Sequence, residues 1–172
     1  MEAAKIVLMS VLAAMAYRVV QDQVTVRVCV EYFAMGHNPV LSTESTALLA
    51  YGRWMIASWW WGLLLGVPLA AAARFGSKPK TKAVTLREPM IHLLVRVACY
   101  AVLAGLAGYF AVKQGWFGVI ESMEHDLVPE REAAYIAVLW AHWTAYGSSA
   151  VEGIAFCIRT WRRRGAPSRP AY

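Results

Sequence analysis

Charged residues are scarce in this sequence, and their scarcity argues against a soluble globular fold. Asp, Glu, Lys and Arg make up 16% of the 172 residues, whereas apolar residues make up 59%. A soluble domain of this length could hardly bury such an apolar fraction in one core. We therefore expect lipid to cover much of the surface, so that the lipid bilayer is itself a partner of the chain.

Cysteine is also rare, and motifs that identify a reaction are missing. Cys29, Cys99 and Cys157 lie far apart without a CxxC pair, so we expect no disulfide framework. The sequence lacks a Walker loop, a nucleophile elbow, a dinucleotide-binding fingerprint and an HExxH zinc site. The cofactor, if any, is therefore unknown at this stage.

Four apolar runs predict an all-α membrane protein with four transmembrane helices. The expected spans are about 5–20, 47–73, 90–112 and 133–158, within one domain at 1–164 and before a disordered tail at 165–172. Arg18 breaks the first run, and its long stem can reach the interface. A cleaved signal peptide is the alternative interpretation of this run, although no convincing cleavage site precedes Gln21.

The distribution of charge predicts the orientation of these spans. Eight of the eleven acidic residues fall in the two expected outer loops, while ten of the seventeen basic residues fall in the inner loop and the tail. By the positive-inside rule, both termini are expected in the cytoplasm. The net charge of +6 is thus explained by topology, and we do not expect nucleic acid as a partner.

The outer loops carry two local patterns. Residues from Val24 to Val30 alternate in the manner of a strand, which predicts a short extended segment. Residues from Trp116 to Glu124 suit a helix that lies in the membrane interface.

Small residues recur at helical spacing in two of the spans. Ser58, Gly62, Gly66 and Ala70 follow every fourth position of the second span, and Ala101 and Gly105 form a row in the third. Small residues so spaced let helix backbones approach closely in lipid.

Ionisable residues inside the spans are the first candidate site. Arg96 and Glu152 lie at matching depths in adjacent antiparallel spans, which predicts an ion pair. His92 and Glu88 share the helical stripe of Arg96. A structural pair that fixes helix register is the first interpretation, and a proton or ion relay is the second.

Two further sets could bind a ligand. Glu121 and His125 are spaced as a helical pair of metal ligands, and His37 could add a third from the other outer loop. His142 and Tyr146, together with Trp60, could line a quinone or lipid pocket, although a core His–Tyr contact also explains the first two.

Short aromatic motifs carry a resemblance. Asp22-Gln23-Val24-Thr25, Glu31-Tyr32-Phe33 and Ser58-Trp59-Trp60-Trp61-Gly62 resemble a family of small multi-span bacterial membrane proteins without an assigned activity, over roughly the first half of the chain. The resemblance implies a bacterial inner membrane and four spans, but no catalytic residue.

The leading functional hypothesis is a non-enzymatic membrane protein that acts through its outer loops as a binding or assembly component. Its partner would be another membrane protein or a second copy of the chain. A metal- or quinone-dependent oxidoreductase and a small ion or solute transporter are the alternatives.

Overall fold

The computed structural model describes residues 1–34, 46–117 and 128–164, without the side chains of residues 34 and 46–57. All regular secondary structure in these ranges is helical, which confirms the all-α class. The helices are α1 (Glu2–Val28), α2 (Glu31–Ala34), α3 (Thr46–Arg74), α4 (Arg87–Lys113) and α5 (Glu132–Arg163). Short 3-10 turns, Ala83–Leu86 and Pro129–Arg131, lead into α4 and α5.

Our expectation of an extended segment from Val24 to Val30 is wrong, because α1 continues to Val28 and the backbone becomes extended only at Cys29. The helical period brings polar residues onto one face of α1, and Arg18, Asp22 and Thr25 on this face are buried, as is Cys29 directly after the helix. Val20 and Val24 then lie on the exposed face. Burial of this polar face stabilises a helix. The two-residue alternation of the valines therefore does not produce a strand.

Glycine makes the contact between α1 and α3 close. A Cβ atom on Gly62 would lie 2.6 Å from Val11 Cα, and one on Gly66 would lie 2.7 Å from Ser10 Cβ. Larger side chains at these two positions would push the antiparallel helices apart. The small-residue row of α3 is therefore a helix-packing surface.

Glycine also makes the contact between α4 and α5 close. A Cβ atom on Gly105 would lie 3.1 Å from the Ala137 carbonyl oxygen, and one on Gly108 would lie 3.1 Å from the Trp140 ring. The two hairpins meet along α3 and α5, where a Cβ atom on Gly153 would lie 3.0 Å from Leu65. Close helix packing thus places α1, α3 and α5 around a common interior.

The basic end of the bundle is held by one buried arginine. The guanidinium group of Arg164 donates hydrogen bonds to four backbone carbonyl oxygens at the end of α3 and in the loop after it: Ala72 (2.6 Å), Phe75 (2.9 Å), Lys78 (2.9 Å) and Pro79 (2.7 Å). These carbonyls would otherwise lack helical partners. The two most basic segments of the chain therefore lie at the same end.

Two helical stretches in the described part of the chain, Glu2–Val28 and Ala83–Lys113, are long and apolar enough to cross a membrane. The expected interfacial helix lies outside the described residues, except for Trp116 and Phe117, which are exposed. The expected tail at 165–172 also lies outside them.

Candidate functional site

A buried cluster of ionisable side chains joins the first and last helices. Asp22 on α1 is fully buried, and its Oδ2 atom lies 3.2 Å from the Nε atom of Arg18, one helical turn earlier. Its other oxygen, Oδ1, lies 3.3 Å from Nε2 of His142 on α5, which is only 2% exposed. Burying charged groups is costly unless they are paired, so each member depends on the others.

The hydrogen bonds of His142 determine where a proton must lie. Its Nδ1 atom is 2.9 Å from the carbonyl oxygen of Val138, and its Nε2 atom faces the carboxylate of Asp22. A carbonyl oxygen only accepts, so Nδ1 carries a hydrogen atom. The contact between Nε2 and Oδ1 then needs a second hydrogen atom, carried either by the ring or by the carboxyl group. His142 therefore bridges the Val138 carbonyl oxygen and the Asp22 carboxyl group, and links α5 to α1.

Aromatic rings surround this cluster. The ring of Tyr32, on the short helix α2, lies 4.6 Å from that of His142, and the guanidinium carbon of Arg18 lies 5.3 Å from the centre of the Tyr146 ring. Trp61 packs edge to face on Tyr146 and donates a hydrogen bond from Nε1 to Ser149 Oγ at 3.0 Å. Rings in these positions exclude water and strengthen the electrostatic interactions inside.

Glu31, which follows α1, and Arg131, which directly precedes α5, form an ion pair that we call the clamp. Glu31 accepts two hydrogen bonds from Arg131, at 2.9 Å and 3.0 Å, and Arg131 also donates to the Val28 carbonyl oxygen. The guanidinium group of Arg131 lowers the pKa of Glu31 to about 2. Burial, and then the hydrogen bond of its thiol to Glu31, raise the pKa of Cys29 to about 11. The clamp therefore keeps an ionised carboxylate beside a protonated thiol.

A largely apolar cavity of about 80 Å³ lies between the long helices, beside the cluster. Ser58 is 7% exposed, lines this cavity and has no hydrogen-bond partner for its Oγ atom among the residues that the structure describes. Gln21 also lines it, and its buried Oε1 atom is likewise without a partner, whereas its Nε2 atom donates to the Ala141 carbonyl oxygen at 3.5 Å. Two buried polar atoms in one apolar cavity are unusual unless something binds them.

Arg96 and Glu152 form the two-point ion pair expected from their depths, with nitrogen–oxygen distances of 3.0 Å and 2.8 Å. Arg159 also contacts this carboxylate, at 3.2 Å. Glu88 and His92 lie with Arg96 around a second cavity at the basic end. No hydrogen bond joins these two to the pair within the described residues.

The other expected site residues fall in different places. Trp60 is 48% exposed. Trp61, and not Trp60, lies beside Tyr146 in the cavity. His142 contacts Asp22 and the ring of Tyr32, whereas Tyr146 contacts Trp61 and Arg18. Glu121, His125 and His37 lie outside the described residues, and the described part of the chain holds no group of potential metal ligands.

Sequence reasoning missed Arg18 and Asp22 as site residues. Their signal was present, because opposite charges one helical turn apart near the end of an apolar run would suit a buried pair. We expected Arg18 to reach the interface, but its side chain is buried.

Comparison with known proteins adds no relative, since no family model, no curated protein and no solved structure matches the chain.

Proposed function

We propose that the chain is a four-span protein of the bacterial inner membrane that binds an amphipathic ligand without transforming it. The ligand would occupy the central cavity between α1, α3 and α5. The observation that carries this proposal is that two buried polar atoms in a largely apolar cavity, Ser58 Oγ and Gln21 Oε1, have no hydrogen-bond partner in the described part of the chain.

The surface of the bundle supports its place in a membrane. Helix α1 buries Arg18 and Asp22 while it exposes large apolar side chains: Leu8, Leu12, Val20 and Val24. Exposed apolar residues also follow α4 and α5, including Val102, Leu103, Val151 and Ile154. Water would disfavour both features, whereas hydrocarbon favours an apolar exterior and paired ionic groups in the interior.

The orientation follows from the basic end of the bundle. The residues tied together by Arg164 include the loop after α3 and the end of α5, which are both rich in lysine and arginine. Under the positive-inside rule this end faces the cytoplasm, together with both termini. Reporter fusions to the two termini test this arrangement, and activity on opposite sides of the membrane would contradict it.

The hydrogen-bonding atoms in the cavity determine which head group the ligand can have. Gln21 Oε1 can only accept, because the amide nitrogen is directed to the Ala141 carbonyl oxygen, and Ser58 Oγ can donate or accept. A head group that donates, such as a hydroxyl, satisfies both atoms. A cavity of about 80 Å³ has room for a head group and the start of one alkyl chain. We therefore propose a single-chain lipid alcohol.

Binding of matched ligands tests this assignment. In nanodiscs, native mass spectrometry should show that a long-chain alcohol binds more tightly than a methyl ether of the same length, which cannot donate. Ser58→Ala should weaken alcohol binding. Ser148→Ala is the control, because Ser148 Oγ already donates to the Thr144 carbonyl oxygen and does not line the cavity. Equal binding of the two ligands, or equal effects of the two variants, would contradict the proposal.

A small transporter is the second candidate, favoured by the buried contact between the Asp22 carboxyl group and the His142 ring. Ionisable groups buried in membrane helices often belong to proton pathways. Proton uptake into liposomes that depends on the chain and is lost in Asp22→Asn would support this candidate over simple binding.

Assembly through the outer loops, and the metal- or quinone-dependent oxidoreductase with Glu121, His125 and His37, stay predictions, because those segments lie outside the described residues.

A further inference from the structure

A second cavity, of about 450 Å³, opens at the basic end of the bundle between the start of α4 and the end of α5. Its lining brings together arginine side chains, a histidine and hydroxyl groups from three segments: Arg159, Arg163, His92, Thr81, Thr85 and Thr160. This cavity is separate from the central one. We infer that it binds the phosphodiester head group of an anionic phospholipid.

The charges around the cavity leave it positive. Arg96 and Arg159 share the carboxylate of Glu152, and Glu88 contributes one further negative charge to the lining. Arg163 also lines the cavity, and no ion pair holds it among the described residues. Three arginines therefore face two carboxylates, and the guanidinium group of Arg163 is available to a ligand.

The chemistry of the lining suits a phosphodiester. Guanidinium groups donate several hydrogen bonds in a plane that matches phosphate oxygens, and threonine hydroxyls can donate to the same group. The volume exceeds what a phosphate group alone needs, which leaves space for the glycerol part of a head group. Basic pockets between transmembrane helices on the cytoplasmic side bind anionic head groups in this way.

The position of the cavity fits a lipid rather than a soluble anion. It lies at the end where the chain carries its basic loop and tail, which is the level of lipid head groups in the proposed orientation. This step rests on the membrane arrangement proposed above but not on the ligand of the central cavity. The two sites can therefore fail independently.

Lipid titration of the detergent-solubilised chain, followed by native mass spectrometry, tests the inference. Phosphatidylglycerol should bind more tightly than phosphatidylcholine, and Arg163→Gln should weaken its binding by about fivefold, the effect of one cation near an anionic lipid. Arg162→Gln is the matched control. It removes the same charge from the residue directly before Arg163, and Arg162 does not line the cavity.

Three results would overturn the inference. Equal losses in Arg163→Gln and Arg162→Gln would show that only the overall surface charge attracts the lipid. Equal binding of phosphatidylcholine would remove the requirement for an anionic head group. Competition by inorganic phosphate as effective as that by phosphatidylglycerol would identify a site for a free anion. Because Arg163 is exposed, both variants should keep the thermal unfolding midpoint of the parent in detergent.

Discussion

Asp22 and His142 lie 3.3 Å apart in the interior of the bundle, although 120 residues separate them in the chain. Their contact joins α1 to α5 and completes the pairing of Asp22 with Arg18. The first helix is therefore an integral part of the interior that contains the candidate site, and its removal would leave His142 facing a gap. Variants of Asp22 probe this relationship.

Replacement of Asp22 by alanine should destabilise the bundle. The substitution removes the carboxylate that contacts both Arg18 and His142 in a site closed to water. Breaking a buried pair by removing one partner costs about 3–5 kcal/mol. Asp22→Asn keeps an oxygen acceptor and should cost less. Unfolding in mixed detergent measures both free energies, and an alanine variant as stable as the parent would contradict the assignment.

Substitution of Gly62 by alanine should loosen the contact between α1 and α3. The added Cβ atom would lie 2.6 Å from Val11 Cα, so the helices must separate, at a cost of about 1–3 kcal/mol. Gly147→Ala is the control, because a Cβ atom there has no neighbour within 4 Å, and alanine favours the helix. Thermal unfolding in detergent should show a loss for the first variant only. A similar loss in both would argue against close packing at Gly62.

Acid should weaken the clamp between Glu31 and Arg131. Since Arg131 lowers the pKa of Glu31 from 4.5 to about 2, the ionised pair stabilises the fold fully above pH 4.5 and loses its effect as the pH falls towards 2. Unfolding midpoints across this range should therefore fall more steeply in the parent than in Glu31→Gln. Parallel pH profiles would show that the pair contributes nothing.

Cys29 should resist thiol reagents at neutral pH. It is fully buried, and its pKa is raised to about 11 by burial and by Glu31, so little thiolate is present. In a Cys99→Ala, Cys157→Ala background, maleimide should label the parent slowly and Arg131→Gln faster, because the clamp is broken. Arg27→Gln, which leaves the clamp intact, is the control. Equal rates in both variants would contradict a protective role of Arg131.

The sequence supported the helical class, and local patterns identified several contacts. The long apolar run at 47–73 is helical, as expected, within α3 at Thr46–Arg74, while its crossing of a membrane stays a prediction. Gly62 and Gly66 pack as expected because four-residue spacing fixes one helix face. Arg96 and Glu152 pair because adjacent antiparallel helices bring equal depths together.

The contact of Asp22 with His142 could not be predicted from the sequence, for a physical reason. Period-two alternation of Val24, Val26 and Val28 is typical of a strand, and the helix is explained only by the burial of Asp22 and Thr25 on one of its faces. The partner of Asp22 is on the last helix, and one sequence contains no signal for a contact across 120 residues. The two cavities depend on side-chain positions from several helices and could not be inferred from spacing.

A membrane-spanning bundle requires that hydrocarbon contacts its exposed apolar surface. Spin labels at Val102 on α4 and Val151 on α5, which are 60% and 69% exposed, measure this contact in liposomes. Collisions with oxygen, which concentrates in lipid, should be frequent, and those with a water-soluble nickel complex should be rare. Frequent collisions with the nickel complex at both positions would show that water covers this surface, and would contradict a membrane-spanning bundle.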